Sequence, residues 1–421
     1  MKKTITTLVV KIASRCNINC TYCYMFNHED QSYKLQPKFI AKQTISNLVN
    51  KIENHCRKNN LTNFIVIFHG GEPLLAEIEY FRWILTELSN LQNEGIDIRF
   101  FVQTNGMLIS PQYCDLFNEF DVKMGISLDG TQDIHDLHRL DKKGKGTYKR
   151  VVKGIEIADQ HMNHDLGSLS VLNLKSDPIE TYNEYKSLNF RTLDFLLLDE
   201  NFDSSGEIQD VINQMNNSEW LIKLFDYWYN EKDTERVRLR KFEQILSFLL
   251  NNNDNDEMIT DKKNSVAVIE TNGNIEPLDV LKICGDAFTK TVFNINDHEL
   301  DMIFQNDLID LYYDSNSLLA KKCLACPVKE ICGGGYFPHR YSSKNGFNNP
   351  SIYCNDLLKL ITHIQNTVVD SIPVKLREEI GIEKLTYNKA IEIIEKKLPT
   401  IPEPYYVERL ESYKKNEFAN F

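Results

Sequence analysis

From residue 6 to about 200 the chain alternates short β-branched or aromatic runs with longer stretches in which apolar positions recur every three to four residues. The short runs predict strands at 7–12, 63–68, 97–102, 122–127, 168–173 and 192–198, and the longer ones predict helices at 41–58, 79–94, 111–118 and 147–162. Strands separated by helices pair in parallel, so six such units predict an α/β fold, a partial (β/α)6 barrel lacking two units of the eight-stranded form.

In such barrels the chemistry sits where strands end, which makes the exits worth reading in turn. The first strand runs toward Cys16 and the second into His69-Gly70-Gly71-Glu72-Pro73. The third ends at Gln103-Thr104-Asn105-Gly106 and the fourth at Ser127-Leu128-Asp129-Gly130. The fifth ends at Asn173 and the sixth at Leu198-Asp199-Glu200. Polar and glycine residues thus collect at one rim.

Beyond residue 200 the pattern becomes helical, with apolar periods at 220–229 and 237–250, and it ends in a polar run at 251–257 that predicts a linker. A cysteine-bearing region follows, with two short strands expected around Asn272-Gly273. The last stretch is charged and helical, broken at Pro373, Pro399, Pro402 and Pro404. The expected domains are a barrel at 1–235, a cysteine-rich α+β domain at 236–365 and a helical tail at 366–421. The first residues lead straight into strand one, leaving no room for an N-terminal peptide-recognition domain.

Composition narrows the class. The 421 residues carry 48 basic and 60 acidic side chains, a net charge of -12, which argues against a nucleic-acid surface. No apolar run reaches membrane-span length and no signal-peptide core is present, so the expected location is cytoplasmic, with no membrane partner. In that reducing compartment ten cysteines are not a disulfide framework. Three lie near residue 20 and four between 323 and 354, whereas Cys56, Cys114 and Cys284 stand alone and are expected in the core.

Cys16-Asn-Ile-Asn-Cys20-Thr-Tyr-Cys23 places three thiols on a short loop leaving a strand. Three thiolates can hold one corner of an iron–sulfur cube and leave its fourth iron open. A zinc site completed by His28 or a distant residue is the alternative that this motif alone leaves standing. The spacing, with Tyr22 before the third cysteine, resembles the signature of the radical S-adenosylmethionine (SAM) enzymes, and Gly70-Gly71-Glu72-Pro73 resembles their GGEP element. That resemblance implies a [4Fe–4S] cluster on Cys16, Cys20 and Cys23 with SAM at the open iron. It implies close backbone approach to the methionine end of SAM at Gly70 and Gly71, and an anionic partner for its ammonium at Glu72. Ser127 and Arg139 resemble the ribose and carboxylate contacts, and Tyr22 and Gln103 complete the expected cofactor-binding set.

The later thiols, Cys323, Cys326, Cys332 and Cys354, suffice to close every iron of a second [4Fe–4S] cluster, with a four-thiolate zinc as the alternative. Their pattern resembles the SPASM extension of peptide-modifying radical SAM enzymes, with departures. The family motifs would place cysteines at Leu278 and Tyr336, so the resemblance implies one auxiliary cluster instead of two and leaves Cys284 a free thiol. Asp279 follows the lost ligand position, where the family keeps a carboxylate base. An aspartate in Ile275-Glu-Pro-Leu-Asp-Val-Leu281 is costly to bury unless partnered or working, so catalytic proton acceptor and turn-stabilising carboxylate both remain open.

Three longer strings, Glu270-Thr-Asn-Gly-Asn-Ile-Glu-Pro-Leu-Asp-Val-Leu-Lys282, Cys332-Gly-Gly-Gly-Tyr-Phe-Pro-His-Arg-Tyr341 and Gly346-Phe-Asn-Asn-Pro-Ser-Ile-Tyr-Cys354, resemble the maturases that form three-residue cyclophanes, with darobactin-type cross-linkers close by. The resemblance implies a precursor-peptide substrate and an external one-electron donor such as flavodoxin or ferredoxin. The product it implies is a carbon–carbon bond from a Cβ to an aromatic ring two positions earlier, the outer cluster taking an electron and Asp279 a proton. The alternatives are a thioether or ether link, formylglycine-type oxidation, and a non-catalytic iron–sulfur or zinc protein.

Overall fold

The computed structural model describes residues 3–204, 216–231, 234, 236–250 and 264–414. The polar run at 251–257, expected as a linker, lies outside the described residues. The chain forms two compact units, the first from Met1–Ser176, Glu180–Leu198 and Ser265–Tyr313, the second from Asp177–Ile179, Asp199–Asn264 and Asp314–Phe421.

In the first unit the sheet runs in the order Ile275–Glu276, Val266–Ile269, Thr7–Ala13, Asn63–Gly70, Asp97–Thr104, Lys123–Ser127, Gly167–Val171, Thr192–Leu196. Every neighbouring pair is parallel except the first, which is antiparallel. The six expected strands are therefore adjacent in chain order, as βα units dictate. Alternation does the folding: in Asn63–Gly70 the side chains of Phe64, Val66 and Phe68 are buried. Phe68 packs edge-on against Phe81 of the helix Ile78–Ser89, and Phe81 in turn meets Phe117 of the helix Pro111–Glu119. That second helix starts at Pro111 with the Ser110 hydroxyl accepting from the Tyr113 N–H, the arrangement a proline-led N-terminus favours.

Several boundaries differ from the pattern, and three elements end early. The helix expected to reach residue 94 ends at Ser89 and tightens into a 3-10 turn at Asn90–Glu94, because Ser and Asn compete with the helix for backbone partners. The fifth strand stops at Val171 since Asn173 turns the chain: its side chain accepts from the Lys175 N–H at 2.9 Å. The sixth strand stops at Leu196. A larger difference concerns residues 265–313, which belong to the barrel unit and not to a separate region beginning at 236. Val266–Ile269 pairs in parallel with Thr7–Val10, and its Ala267, Val268 and Ile269 are all buried, the apolar run that an interior parallel strand requires.

The second unit, among its described residues, is chiefly helical: Asn217–Asn230, Arg240–Leu249, Lys321–Ala325, Lys329–Cys332, Cys354–Ser371, Val374–Ile380, Tyr387–Lys397 and Val407–Glu411. Phe225 anchors three of these, packing on Phe242 and on His363 of the long helix Cys354–Ser371. No helix among the described residues is long and apolar enough to cross a membrane.

Candidate active site

The cysteine loop begins where Thr7–Ala13 ends. Ile18–Cys20 forms a short antiparallel ribbon with Arg139–Asp141, which sets Cys20 opposite Arg139. A turn then brings the third thiol round, with the Cys23 N–H donating to the Cys20 carbonyl at 3.1 Å and the Asn27 side chain donating to the same carbonyl at 2.6 Å. Gly70 and Gly71 press against this loop: the Gly71 N–H donates to the Ala13 carbonyl at 2.8 Å and the Glu72 N–H to the Arg15 carbonyl at 3.0 Å. Gly70 has φ +141°, and a Cβ on it would lie 2.2 Å from the Ala13 oxygen; a Cβ on Gly71 would lie 2.3 Å from the Arg15 oxygen. The close approach these glycines permit is thus to the backbone of the cysteine loop itself.

Glu72 is fully buried, and its carboxylate accepts three hydrogen bonds, from the Leu74 N–H at 3.0 Å, the Thr104 hydroxyl at 2.7 Å and the Asn105 N–H at 2.8 Å. Burial pushes its pKa up, and the three donors act against that rise. The side chain therefore ties the GGEP turn to the end of the third strand. Asn105, from the same strand end, reaches the Asn17 side chain at 2.7 Å and the Cys16 sulfur at 3.6 Å.

Two further groups of expected cofactor-binding residues come together. The Gln103 amide donates to the Ser127 hydroxyl at 2.9 Å, joining adjacent strand ends. The Tyr22 hydroxyl donates to Asp129 and accepts from Arg139 at 2.9 Å, while Arg139 and Asp129 lie 3.9 Å apart. Arg139 is 7% exposed, and its Nε has no hydrogen-bond partner. A buried, unpartnered donor on a cation is what an anionic ligand satisfies, so this arginine fits a carboxylate-bearing cofactor. Arg139→Lys keeps the charge but loses the fork and is expected to raise the SAM dissociation constant about 10- to 100-fold, measurable by equilibrium binding to the cluster-loaded protein. An unchanged constant would remove Arg139 from the SAM site.

Asp279 opens the 3-10 turn Asp279–Cys284 and is 6% exposed. Its Oδ2 lies 3.0 Å from the Lys11 Nζ and accepts from the Tyr24 hydroxyl at 2.9 Å. Tyr24 directly follows Cys23, so one residue links the cysteine loop to this carboxylate. Lys11 is fully buried and reaches Glu270 at 3.5 Å; Lys282 bridges Glu270 at 3.1 Å and Glu276 at 2.7 Å. Burial would raise the Asp279 pKa, but Lys11, His69 and the two donated hydrogen bonds outweigh it and hold the carboxyl well below the usual range. Burial likewise opposes the Lys11 charge, and the Asp279 and Glu270 carboxylates overcome it and keep its pKa raised.

The second unit gathers the other four thiols. Cys323, Cys326, Cys332 and Cys354 line a cavity with about 410 Å³ of empty volume, part of it open to solvent, together with Gly334 and Leu358. A tetrahedral zinc would draw four sulfurs to about 3.8 Å of one another. Among the described residues no three His, Cys, Asp or Glu side chains converge as ligands of one ion. Four thiols lining one space are a donor set that closes every iron of a [4Fe–4S] cluster. Burial raises the Cys323 pKa to about 12 and the Cys332 pKa to about 11, so the thiols ionise only as metal binds and releases their protons. Leu278 and Tyr336 stand where the motif would have cysteines, Leu278 half-buried and Tyr336 42% exposed; Cys284 is buried and forms no disulfide.

Sequence reasoning passed over Lys11, Tyr24, Glu270, Lys282 and Asn105. Lys11 carried a signal, a charge inside the apolar run Leu8-Val-Val-Lys-Ile12. Its partner Asp279 carried one too, as an aspartate among apolar residues, but nothing local showed that the two, some 260 residues apart, would meet.

Residues 10–186 match the family model described as Radical SAM superfamily. A cysteine-type anaerobic sulfatase-maturating enzyme of Clostridium novyi is 26% identical over 359 residues, 84% of this chain and 93% of that protein. A serine-type anaerobic sulfatase-maturating enzyme of Klebsiella aerogenes is 26% identical over 351 residues, 80% of this chain and 81% of that protein. The fold is similar to the solved structure of native anSMEcpe with bound AdoMet, at TM-score 0.72 and 22% identity, covering 87% of this chain and 98% of that one. It is also similar to Streptococcus suis SuiB bound to precursor peptide SuiA, at TM-score 0.52 and 18% identity, covering 80% of this chain and 72% of that one.

Proposed function

We propose that this chain, a radical SAM enzyme acting on peptides, oxidises one side chain of its substrate at the β-carbon. Its cofactors are SAM and [4Fe–4S] clusters; Cys16, Cys20 and Cys23 would hold the cluster that, with SAM, supplies a carbon radical able to take a hydrogen atom from an unactivated carbon. The observation that carries the reading is the chain of contacts from the Cys23 loop through Tyr24 to the Asp279–Lys11 pair. After the hydrogen atom is taken, one electron must also leave, from the β-carbon radical itself or from the aromatic ring it has added to; a cluster at the four later thiols would accept it, and the strongly acidic cation left behind can be deprotonated by a weak base provided that base is ionised. Lys11 keeps Asp279 ionised, and with Tyr24 it holds Oδ2, which leaves Oδ1 to accept the proton.

Two products share these steps. Formylglycine-type oxidation of a cysteine or serine is the reading the sulfatase-maturating relatives support, since they align along most of the chain. A Cβ-to-aromatic cyclophane is favoured by a different observation, the Leu278 and Tyr336 that stand in place of two cysteines and leave thiols for a single auxiliary cluster. Either route needs an external one-electron donor such as flavodoxin or ferredoxin, and with it a reducing, cytoplasmic setting.

Mass spectrometry of peptides incubated anaerobically with the reduced, SAM-loaded enzyme separates the outcomes. A cyclophane removes two hydrogens and leaves no aldehyde; formylglycine reacts with hydrazides, and from cysteine it also loses sulfur. Peptides left unmodified by an enzyme that cleaves SAM, across cysteine, serine and aromatic-x-x sequences alike, would overturn the peptide reading.

A further inference from the structure

Arg340 is 1% exposed, and among the described residues no carboxylate forms an ion pair with it. Its guanidinium donates instead to backbone carbonyls: to Gly335 at 3.2 and 2.8 Å, to Ser315 at 2.8 Å, to Leu318 at 3.4 Å and to Gly333. A cation buried among neutral dipoles alone is poorly compensated, which points to an anion nearby. The anion is indicated by the turn that holds it. Cys332 is followed by Gly333, Gly334 and Gly335, at φ +55°, +80° and +77°. This left-handed turn aims two carbonyls at the guanidinium. Gly334 itself lines the four-thiol cavity, and a Cβ there would lie 2.9 Å from the guanidinium carbon. One glycine thickness separates Arg340 from the cavity. Burial lowers the Arg340 pKa, and the charges that oppose this are those of Cys323 and Cys332, with Tyr406.

We propose that Arg340 is the counter-charge of the second cluster and holds its one-electron reduction potential up. The inference rests on the four-thiol site holding a cluster. Four thiolates on an oxidised [4Fe–4S] core leave a net charge of about -2, which becomes more negative on reduction. A fixed positive charge across a dry, low-dielectric wall stabilises the more negative state more strongly, so electron uptake becomes easier. The compensation is mutual, since the cluster supplies the anion that buried Arg340 lacks. Arg340 is a positioning residue that touches no substrate.

The test is an EPR-monitored redox titration of the full-length, anaerobically loaded enzyme. The second cluster's signal is assigned in a variant with alanine at Cys16, Cys20 and Cys23. Arg340→Gln is expected to move that midpoint potential downward, and Arg340→Lys to leave it near the parent value. An Arg340→Gln protein that holds its cluster at the parent potential overturns the proposal. If Arg340→Gln fails to load iron and sulfide at that site while Arg340→Lys loads at the parent potential, charge and not shape is what the cluster needs, which supports it. Loss of the cluster in both variants overturns it in favour of a purely structural guanidinium. An alanine-substituted parent without iron at the remaining thiols would refute the cluster reading first, and this inference with it.

Discussion

Gly71→Ala is expected to remove the first cluster and, with it, SAM cleavage. The added methyl would lie 2.3 Å from the Arg15 oxygen and 2.8 Å from the Cys16 nitrogen, both backbone atoms that cannot rotate aside. Either the GGEP turn or the cysteine loop must move, and the N–H donations to Ala13 and Arg15 that join them are lost together. Ligand positions that shift by an ångström no longer fit a rigid cube. Iron per chain should fall by about four, the content of one cluster, and 5′-deoxyadenosine formation should drop at least 100-fold, while iron at the four later thiols persists. Full iron and normal SAM cleavage in Gly71→Ala would show that the glycine contact does not hold the loop.

Lys11→Met is expected to produce the largest loss of stability. The lysine ammonium is fully buried between Asp279 and Glu270, and its removal leaves two carboxylates without their shared cation. Breaking one side of a buried pair costs about 3–5 kcal/mol, which lowers Tm by about 6–20 °C in a domain of this size. The pH dependence follows from the two shifts. Asp279 titrates below its unfolded value near 4, so its stabilisation is complete above that pH and is lost as pH falls through the depressed folded pKa. Lys11 titrates above its unfolded value, so its contribution is complete below about 10.4 and is lost as pH rises through the folded pKa. The wild type should therefore hold its Tm between pH 5 and 8. In Lys11→Met the orphaned Asp279 gains stability by protonation, while Glu270 keeps Lys282 at 3.1 Å, so the variant's Tm should be higher at pH 5 than at pH 8. Scanning calorimetry across that range checks both statements, and a variant as stable as the parent at pH 8 would contradict the buried pair.

The barrel was legible because its information is local. Runs such as Phe64-Ile-Val-Ile-Phe68 carry the alternation that buries Phe64, Val66 and Phe68, and consecutive strands pair. The exit residues Gln103 and Ser127 were likewise visible as polar groups at strand ends, whereas Tyr22 and Arg139 came from the family resemblance, and each pair meets in space. The Lys11–Asp279 pair was not legible. An aspartate among apolar residues announces that it needs a partner, yet which of the 48 basic side chains answers depends on a strand pairing across some 260 residues. Arg340 was hidden for a different reason. Its partners are main-chain carbonyls, which every residue possesses, so no side-chain pattern marks them. The packing of the two glycines was hidden in the same way: sequence gives the need for close approach, and the fold adds that Gly70 and Gly71 press on the backbone of the cysteine loop.

The most direct measurement is 5′-deoxyadenosine formation by the reduced, anaerobically loaded protein, compared with that of Cys20→Ala, with iron and zinc quantified in both. The account predicts turnover of SAM by the parent, about eight irons per chain for two clusters, and loss of both turnover and half the iron in Cys20→Ala. SAM cleavage that survives in Cys20→Ala, or stoichiometric zinc in place of iron in the parent, would contradict it.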